Sequence, residues 1–349
     1  MFKRIFWTVI TCVFFATCKK NDTSVPTGPI PTPPGTGILQ FKNFYVQGSV
    51  LKDSSDHDFI MRGNNFPVFW FPTLYMPSLA AASSLNANTA RLVWQVQQLP
   101  YTPNLSVLDQ ALAACVLNKL VPVLELHDFT GGTNPSDLIT AANYFSRADV
   151  KAILYKYNHV LVINIANEWG DGTINDITWK NAYTPAIKII RDAGYKVPVM
   201  IDAPGYGQNE NAIIAYGIDL LNSDPLKNLI FSVHAYSNWN NSSTYTNRIN
   251  AITSLGLCIV FGEFGWNVPD SQQPADFTCR VDAPLLMQIC QSKKLGYIGW
   301  SWTGNNDANA CFDMSTSWSD TSNLTTWGRQ WAYDPNGVKN TGIKAYIYQ

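Results

Sequence analysis

Short apolar runs recur along this chain, and each is followed by a loop and then by an amphipathic stretch. The runs are rich in β-branched residues and lack strict polar–apolar alternation, which is typical of parallel strands that are covered on both faces. Eight runs are predicted to be strands: Phe59–Gly63, Thr89–Val93, Val121–Leu126, Val160–Ala166, Val197–Ile201, Leu229–Val233, Cys258–Phe261 and Tyr297–Ser301. Because they recur at intervals of roughly 30–40 residues, the pattern predicts a single-domain (β/α)8 TIM barrel.

The residues that end the helices between these runs support a barrel. Several helical stretches lead into the next strand through Asn86, Gly194 or Gly256, as C-terminal caps do. The alternative is a doubly wound sheet, which needs a glycine-rich phosphate loop after its first strand. Residues 62–65 (RGNN) do not supply one. The segment Phe41–Ser49, which precedes the first barrel strand, is predicted to be a small hairpin that caps the bottom of the barrel.

The composition limits the partners. The chain is 46% apolar and 14% charged with a net charge of −1, so it lacks the basic surplus that nucleic-acid binding requires. It contains 12 Trp, 16 Tyr and 17 Phe, which suggests flat faces on which sugar rings stack. An aromatic-rich core is the alternative interpretation of the same count.

The N-terminal residues predict export. Residues 1–18 have a basic start, an apolar run over Ile5–Thr17 that is too short to span a bilayer, and then Cys18 before polar residues. This pattern resembles a bacterial lipoprotein signal, with Cys18 lipidated at the cell envelope; an ordinary secretory signal is the alternative. Residues 19–37 are rich in Pro, Gly, Thr and Ser and predict an extended linker. The folded domain is predicted to cover 38–349.

The cysteines are divided by their surroundings. Cys115 and Cys290 lie in helical patterns and Cys258 opens an apolar run, so these three are expected to be buried small hydrophobes. Cys279 and Cys311 lie in polar loops of an exported chain, and a disulfide between them is expected. No Cys-x-x-Cys or His–Cys spacing of a metal site is present in the sequence.

Polar and aromatic residues gather at the carboxyl ends of the predicted strands, which open on one face of a barrel. The residues at these ends are Arg91, His127, Asp128, Asn167, Glu168, Asp202, His234, Tyr236, Glu263, Trp300 and Trp302. Two carboxylates that face each other across a cleft can cleave a glycosidic bond, since one donates a proton and the other attacks or stabilises the anomeric carbon. Glu168 and Glu263 are the candidates. For either glutamate alone, a structural salt bridge to Arg91 is the alternative.

A metal centre is a second possibility for this face. His127, Asp128, Asp202 and His234 offer ligands of the kind that barrel amidohydrolases use. Those enzymes also need a closely spaced histidine pair at the first strand, and residues 62–65 contain none. No metal and no cofactor is therefore expected, because both carboxylates come from the protein.

The local sequences around these residues resemble glycoside hydrolase family 5 of clan A, and within it the bacterial endo-β-1,4-mannanases. The resemblance runs from about residue 38 to the end of the chain. The segments that carry it are ELHDFTG (125–131), INIANEWG (163–170), VMIDAPGYGQN (199–209), FSVHAYSN (231–238), VFGEFGW (260–266) and GWSWTGN (299–305). Two positions depart from the family pattern: residues 65–70 lack an expected histidine, and Tyr206 stands where Trp is more familiar.

The resemblance implies roles for single residues. Glu168 is then the acid/base and Glu263 the nucleophile of a retaining mechanism, with Arg91 holding Glu263 ionised. Asn167 would bond the sugar 2-hydroxyl, His234 and Tyr236 would orient the nucleophile and the ring, and Trp300 would stack under the sugar. The residues expected to bind substrate are Arg91, Asn167, His234, Tyr236, Trp300, Trp302 and His127.

The resemblance further implies an endo-acting hydrolase of β-1,4-mannosidic bonds in mannan, galactomannan or glucomannan. A monomer is expected. An endo-β-1,4-glucanase of the same family is one alternative. A non-catalytic surface glycan-binding protein is another, although a binder has no need of two charged groups in one cleft.

Overall fold

The computed structural model describes residues 42–96 and 104–349. The predictions made for the signal segment 1–18, for Cys18 and for the linker 19–37 lie outside these residues. Within the two described ranges, no helix combines the length and the apolar character that crossing a membrane requires.

Eight parallel strands close into a barrel in which each strand pairs with its neighbours in chain order and the last strand pairs with the first. The barrel strands are β3 (Arg62–Phe66), β4 (Thr89–Trp94), β5 (Val121–Leu126), β6 (Val162–Asn164), β7 (Val199–Asp202), β8 (Leu229–Ala235), β9 (Ile259–Phe264) and β10 (Gly296–Gly299). The predicted (β/α)8 barrel is thus confirmed, and every predicted strand overlaps an observed one. The first is displaced by three residues, because Phe59 packs edge-on against Phe44 below the barrel.

Helices cover the outer face of the barrel. They are α1 (Tyr75–Ser84), α2 (Leu105–Leu117), α3 (Ser136–Ser146), α4 (Ala148–Leu154), α5 (Asp176–Asp192), α6 (Glu210–Ser223), α7 (Tyr245–Thr253), α8 (Ala283–Lys293), α9 (Thr326–Tyr333) and α10 (Val338–Thr341). The side chains of Asn104 and Asn175 cap the N-termini of α2 and α5 by accepting backbone N–H bonds. Asn86, Gly194 and Gly256 all adopt positive φ after a helix, as predicted for C-terminal caps.

The bottom of the barrel is closed by a hairpin. Strands β1 (Tyr45–Gln47) and β2 (Val50–Lys52) pair in antiparallel register, so the predicted hairpin is confirmed but extends past Ser49. Phe44 and Leu51 are buried in one apolar cluster with valines of the barrel interior, including Val123 and Val162. The opposite end, where the strands finish, is therefore the open end.

A register shift shapes that open end. The pairing of β8 with β9 shifts between Val233 and His234, so that His234 lies directly opposite Glu263. Such irregularities re-aim side chains at the rims of barrels. Here the shift places a histidine and a carboxylate side by side at the mouth.

Candidate active site

An open cleft of about 800 Å³ lies at the carboxyl ends of the strands. Its walls combine aromatic and polar side chains, which is the usual character of a ligand-binding cleft. The residues that line it include Trp70, Phe71, His127, Asn167, Glu168, Tyr206, Gln208, Tyr236, Glu263, Asp276, Phe277, Trp300, Asn305 and Phe312. The two glutamates predicted from the sequence are both among them.

Glu168 and Glu263 reach the cleft from different backbone settings. Glu263 lies within β9, whereas Glu168 follows β6 in a turn where its φ is +48°. One carboxylate oxygen of each lies within 4.8 Å of the other and of a ring nitrogen of His234. Carboxyl groups about 5–5.5 Å apart are the arrangement of retaining glycosidases, whereas inverting enzymes leave room for a water between them.

Both oxygens of Glu263 accept hydrogen bonds from fixed donors. Arg91 Nη1 donates to Oε1 at 2.7 Å, and Tyr236 Oη donates to Oε2 at 2.8 Å. Burial raises the pKa of the Glu263 carboxyl above its usual range and the Glu168 carboxylate adds to this, while His234 and Arg91 act in the opposite direction. Burial also keeps the pKa of Tyr236 well above its usual range, so its hydroxyl remains a donor.

Arg91 is hydrogen-bonded to most of the buried polar residues around Glu263. Its guanidinium is fully buried and donates to Asn65 Oδ1 at 2.9 Å, to Asn164 Oδ1 at 3.0 Å and to Asn167 Oδ1 at 2.8 Å, besides Glu263. Burial lowers the pKa of Arg91, but the surrounding carboxylates outweigh this and raise it. The planar fork of an arginine can hold several acceptors at once, which a lysine cannot.

His234 connects the two glutamates. Its Nδ1 lies 2.6 Å from Glu168 Oε1 and 3.6 Å from Glu263 Oε2. The ring fits between two glycines: a Cβ at Gly207 would lie 2.4 Å from the ring Cγ, and one at Gly262 would lie 3.3 Å from Nε2. Burial lowers the pKa of His234, but the charges of Glu263 and Asp202 outweigh it and raise the value to about 10. The surrounding carboxylates therefore favour the protonated ring.

An aromatic wall stands beside the glutamates. The ring of Trp300 stacks on His127 with centroids 5.8 Å apart, and Trp70 contacts the same histidine edge-on at 5.4 Å. The Trp300 indole is held by Asn305, whose Oδ1 accepts its Nε1–H at 3.0 Å. His127 Nδ1 in turn lies 2.9 Å from the buried carboxylate of Glu125. Burial lowers the pKa of His127, and Glu125 outweighs this effect and raises it.

Comparison with known proteins identifies the family. Residues 53–306 match the family described as Cellulase (glycosyl hydrolase family 5). The chain belongs to glycosyl hydrolase family 5.

Individual relatives agree with this assignment. The mannan endo-1,4-beta-mannosidase of Cellvibrio japonicus (strain Ueda107) is 36% identical over 312 residues, which cover 87% of this chain and 69% of that protein. That of Salipaludibacillus agaradhaerens is 31% identical over 306 residues, covering 87% of this chain and 96% of that protein. The mannotriose complex of the beta-mannanase of Thermomonospora fusca superposes with a TM-score of 0.78 at 30% identity, over 88% of this chain and 100% of that chain.

Most of the site residues predicted for this family 5 hydrolase meet at one place. Arg91, Asn167, His234 and Tyr236 lie within the network around the two glutamates, and Trp300 and His127 form the adjoining wall. Trp302 does not line the cleft, which corrects its assignment as a substrate-binding residue. It is fully buried, stacks on Phe66 and donates its Nε1–H to Ser317 O at 3.1 Å.

The prediction of a disulfide between Cys279 and Cys311 is wrong, since both cysteines of this family 5 hydrolase are free thiols in the structure. The buried Cys279 thiol donates to Trp266 O at 3.3 Å, and Trp266 Nε1 donates to Cys311 O at 2.8 Å. The Cys279 thiol is thus bonded to the Trp266 backbone, and the Trp266 ring is bonded to the Cys311 backbone. Cys115, Cys258 and Cys290 are buried, as predicted.

The same cluster is the place to consider for a metal ion. Glu168, His234 and Glu263 form the one group of three potential ligands found among residues 42–96 and 104–349. A tetrahedral zinc ion with ligand bonds of about 2.0–2.1 Å would separate its ligand atoms by roughly 3.3 Å. His234 Nδ1 lies 2.6 Å from Glu168 Oε1, which is a hydrogen-bond distance and leaves no room for an ion between the two atoms. Arg91, bonded to Glu263, adds a positive charge beside them. The arrangement fits proton transfer better than cation binding.

Sequence reasoning missed residues that this family 5 hydrolase uses to hold the site. Glu125 is buried below His127, and Asn305 fixes Trp300. Phe277 and Phe312, stacked with centroids 6.1 Å apart, form a further part of the cleft wall. Glu125 had a signal, because it is a charged residue inside an otherwise apolar strand run. Asn305 and Phe277 lie in loops and Phe312 ends a short 3-10 helix, and none of the three had such a signal.

Proposed function

We propose that this chain is an endo-acting, retaining β-1,4-mannanase that acts on mannan, galactomannan or glucomannan. The observation that carries the chemistry is the pair of glutamates whose carboxylate oxygens lie within 4.8 Å in an open cleft. The substrate class is supported by the relatives, which are named mannan endo-1,4-beta-mannosidases.

Two steps account for hydrolysis with retention. In the first, Glu263 attacks the anomeric carbon while Glu168 gives its proton to the leaving glycosidic oxygen, which forms a covalent glycosyl–enzyme. In the second, Glu168 takes a proton from water, the resulting hydroxide attacks the same carbon, and Glu263 leaves as a carboxylate. Glu263 suits the nucleophile because Arg91 and Tyr236 donate to its oxygens and aim them.

The surrounding groups serve the oxocarbenium-like transition state. Asn167 is fixed at both ends, since its Oδ1 accepts from Arg91 and its Nδ2 donates to Thr130 Oγ1 at 2.9 Å. An amide held in this way presents a preorganised polar group to the sugar 2-hydroxyl. Trp300 offers a stacking face beside the reacting ring. Phe277, stacked on Phe312, adds a further aromatic face to the cleft, and the cleft is open, which suits attack within a polymer.

Reducing-sugar release by the purified protein on galactomannan, glucomannan and carboxymethyl cellulose tests the proposal. We expect release from both mannans and little from cellulose. The matched control is Glu168→Gln, which keeps the shape of the side chain and loses the proton donor. Preference for cellulose would identify an endo-β-1,4-glucanase. Binding of all three polymers without release by either protein would identify a glycan-binding protein.

Retention has its own test. Proton NMR of mannohexaose during hydrolysis distinguishes the anomers of the new reducing end before they interconvert. We expect the β-anomer to appear first, as in the substrate linkage. First appearance of the α-anomer would mean inversion and would contradict the spacing argument.

We further propose that the protein is exported and anchored through a lipid on Cys18, and that the folded chain is a monomer. The basic start, the apolar run and the cysteine of residues 1–18 support the first statement. Labelling of cells with a fatty-acid probe tests it, with Cys18→Ser as control: signal in both proteins would contradict lipidation at this position. Light scattering after size exclusion tests the second.

A further inference from the structure

The carboxylate of Asp202 lies beneath the cleft and is entirely surrounded by donors. Asp202 ends β7, is fully buried and does not line the cleft. Its Oδ2 lies 3.1 Å from Glu168 N, 3.3 Å from Arg91 Nη2 and 3.5 Å from His234 Nε2. Its Oδ1 accepts from Asn164 Nδ2 at 3.2 Å. An ionised carboxylate satisfies such a set, whereas an amide would bring its own N–H groups against other donors.

One of these donors belongs to the strained turn that aims Glu168. The φ of Glu168 is +48°, a region that non-glycine residues rarely adopt. Asp202 accepts the N–H of this residue, and Gly131 N donates to its carbonyl oxygen at 3.0 Å. The turn is therefore held from both sides by groups distant in the sequence.

Another donor is the ring of His234. The ionisable groups that face this ring are Asp202 from β7 at Nε2, and Glu168 and Glu263 at Nδ1. Nε2 has no hydrogen bond within normal distance, so its interaction with Asp202 is that of an ion pair at 3.5 Å. The charge of Asp202 thus favours a proton on Nε2, and the carboxylates of Glu168 and Glu263 favour one on Nδ1; only the ring that carries both protons donates from Nδ1 to the glutamates.

We propose that Asp202 is a positioning residue of the reaction, which keeps His234 an imidazolium that donates to Glu168 and at the same time fixes the Glu168 turn. The inference rests on the proposed function where activity is its readout. The electrostatics agree with it. Burial raises the pKa of Asp202, but His234 and Arg91 outweigh this and bring it to about 2.

The first test compares Asp202→Asn with Asp224→Asn. Asp224 is a matched control because it is equally buried, pairs with Arg191 through two contacts of 2.8 Å and lies before β8 at the other end of the barrel. Both substitutions are expected to lower the melting temperature. Only Asp202→Asn should lower kcat, by at least about tenfold, and move the alkaline limb of the kcat pH profile to lower pH by about one unit or more. An unmoved limb in Asp202→Asn would overturn the proposal.

The second test uses the wild-type protein and does not depend on its enzymatic activity. Nitrogen-15 NMR of the histidine rings of the wild-type protein reports the protonation of each ring nitrogen. We expect His234 to remain an imidazolium at pH 8, and a neutral His234 ring at pH 7 would overturn the proposal. If the imidazolium is found but no mannan is cleaved, the proposed function fails while the pairing with Asp202 stands.

Discussion

Replacing Tyr236 by Phe removes one hydrogen-bond donor from Glu263, the proposed nucleophile, and little else. The Tyr236 hydroxyl donates to Glu263 Oε2 at 2.8 Å, and both side chains are buried. The ring itself is held by edge-on contacts with Phe277 and Phe312, which the substitution retains. The change is therefore confined to the charge and the orientation of Glu263.

The expected size follows from the surroundings of that oxygen. A hydrogen bond to a charged group contributes about 1.5–3 kcal/mol, which corresponds to a factor of roughly 10–160 in an equilibrium or a rate. His234 Nδ1, at 3.6 Å, is too distant from Glu263 Oε2 to replace the lost donor. Because the donor favours the ionised carboxylate, its loss raises the pKa of Glu263. Activity should then fall most at acid pH.

The measurement is kcat/KM against pH on a defined mannooligosaccharide. We expect the acid limb of Tyr236→Phe to move to higher pH by about one unit or more, with kcat/KM at the optimum at least about tenfold lower. The control is Tyr195→Phe, because the buried Tyr195 hydroxyl donates to Phe145 O at 2.9 Å outside the cleft. That variant should lose about 0.5–1.5 kcal/mol of stability and keep the wild-type profile.

Two results would refute this reasoning. If Tyr236→Phe loses activity equally at every pH, the hydroxyl does not stabilise the charge of Glu263. If kcat/KM changes less than about threefold, the contact at 2.8 Å is not maintained while substrate is bound.

Further outcomes are expected. Glu168→Gln and Glu263→Gln should each lower turnover by about a thousandfold or more without unfolding, as circular dichroism and steady-state rates will check; substantial activity in either would overturn its assignment. Trp300→Ala should raise KM roughly tenfold, or ~1.4 kcal/mol, through lost stacking, which initial rates over a substrate series measure. Denatured, unreduced protein should be alkylated at both Cys279 and Cys311 in peptide maps; an intact linked peptide would restore the disulfide.

The fold could be predicted because its signals are local. Each apolar run carries its own β-branched residues, and caps such as Gly194 mark where helices end. Closure of the barrel then brings Glu168 and Glu263 together, so that the position of each at a strand end was sufficient to pair them.

The rest of the site depends on distances that local patterns do not contain. Trp300 and Trp302 are two residues apart, so a strand that continued through both would place their side chains on the same face. Trp300 lines the cleft, whereas Trp302 is buried. β10 ends at Gly299, so the alternation of strand side chains no longer applies beyond it. The position of Asp202 at a strand end predicted that it lies near the mouth of the barrel. The donors around its carboxylate come from neighbouring strands, so the sequence pattern could not predict them.

Glu168 shows how a functional residue differs from a structural one with the same backbone. Lys294 also has a positive φ, of 58°, but it ends α8, and its N–H bonds to the carbonyl of Gln291 in an ordinary helix cap. Glu168 ends no helix, and a left-handed backbone costs about 1–2 kcal/mol for a residue with a Cβ. A glycine would relieve that strain but could not donate a proton. The turn is thus maintained against local preference by Asp202 and Gly131, and from it a carboxylate oxygen of Glu168 lies within 4.8 Å of one of Glu263.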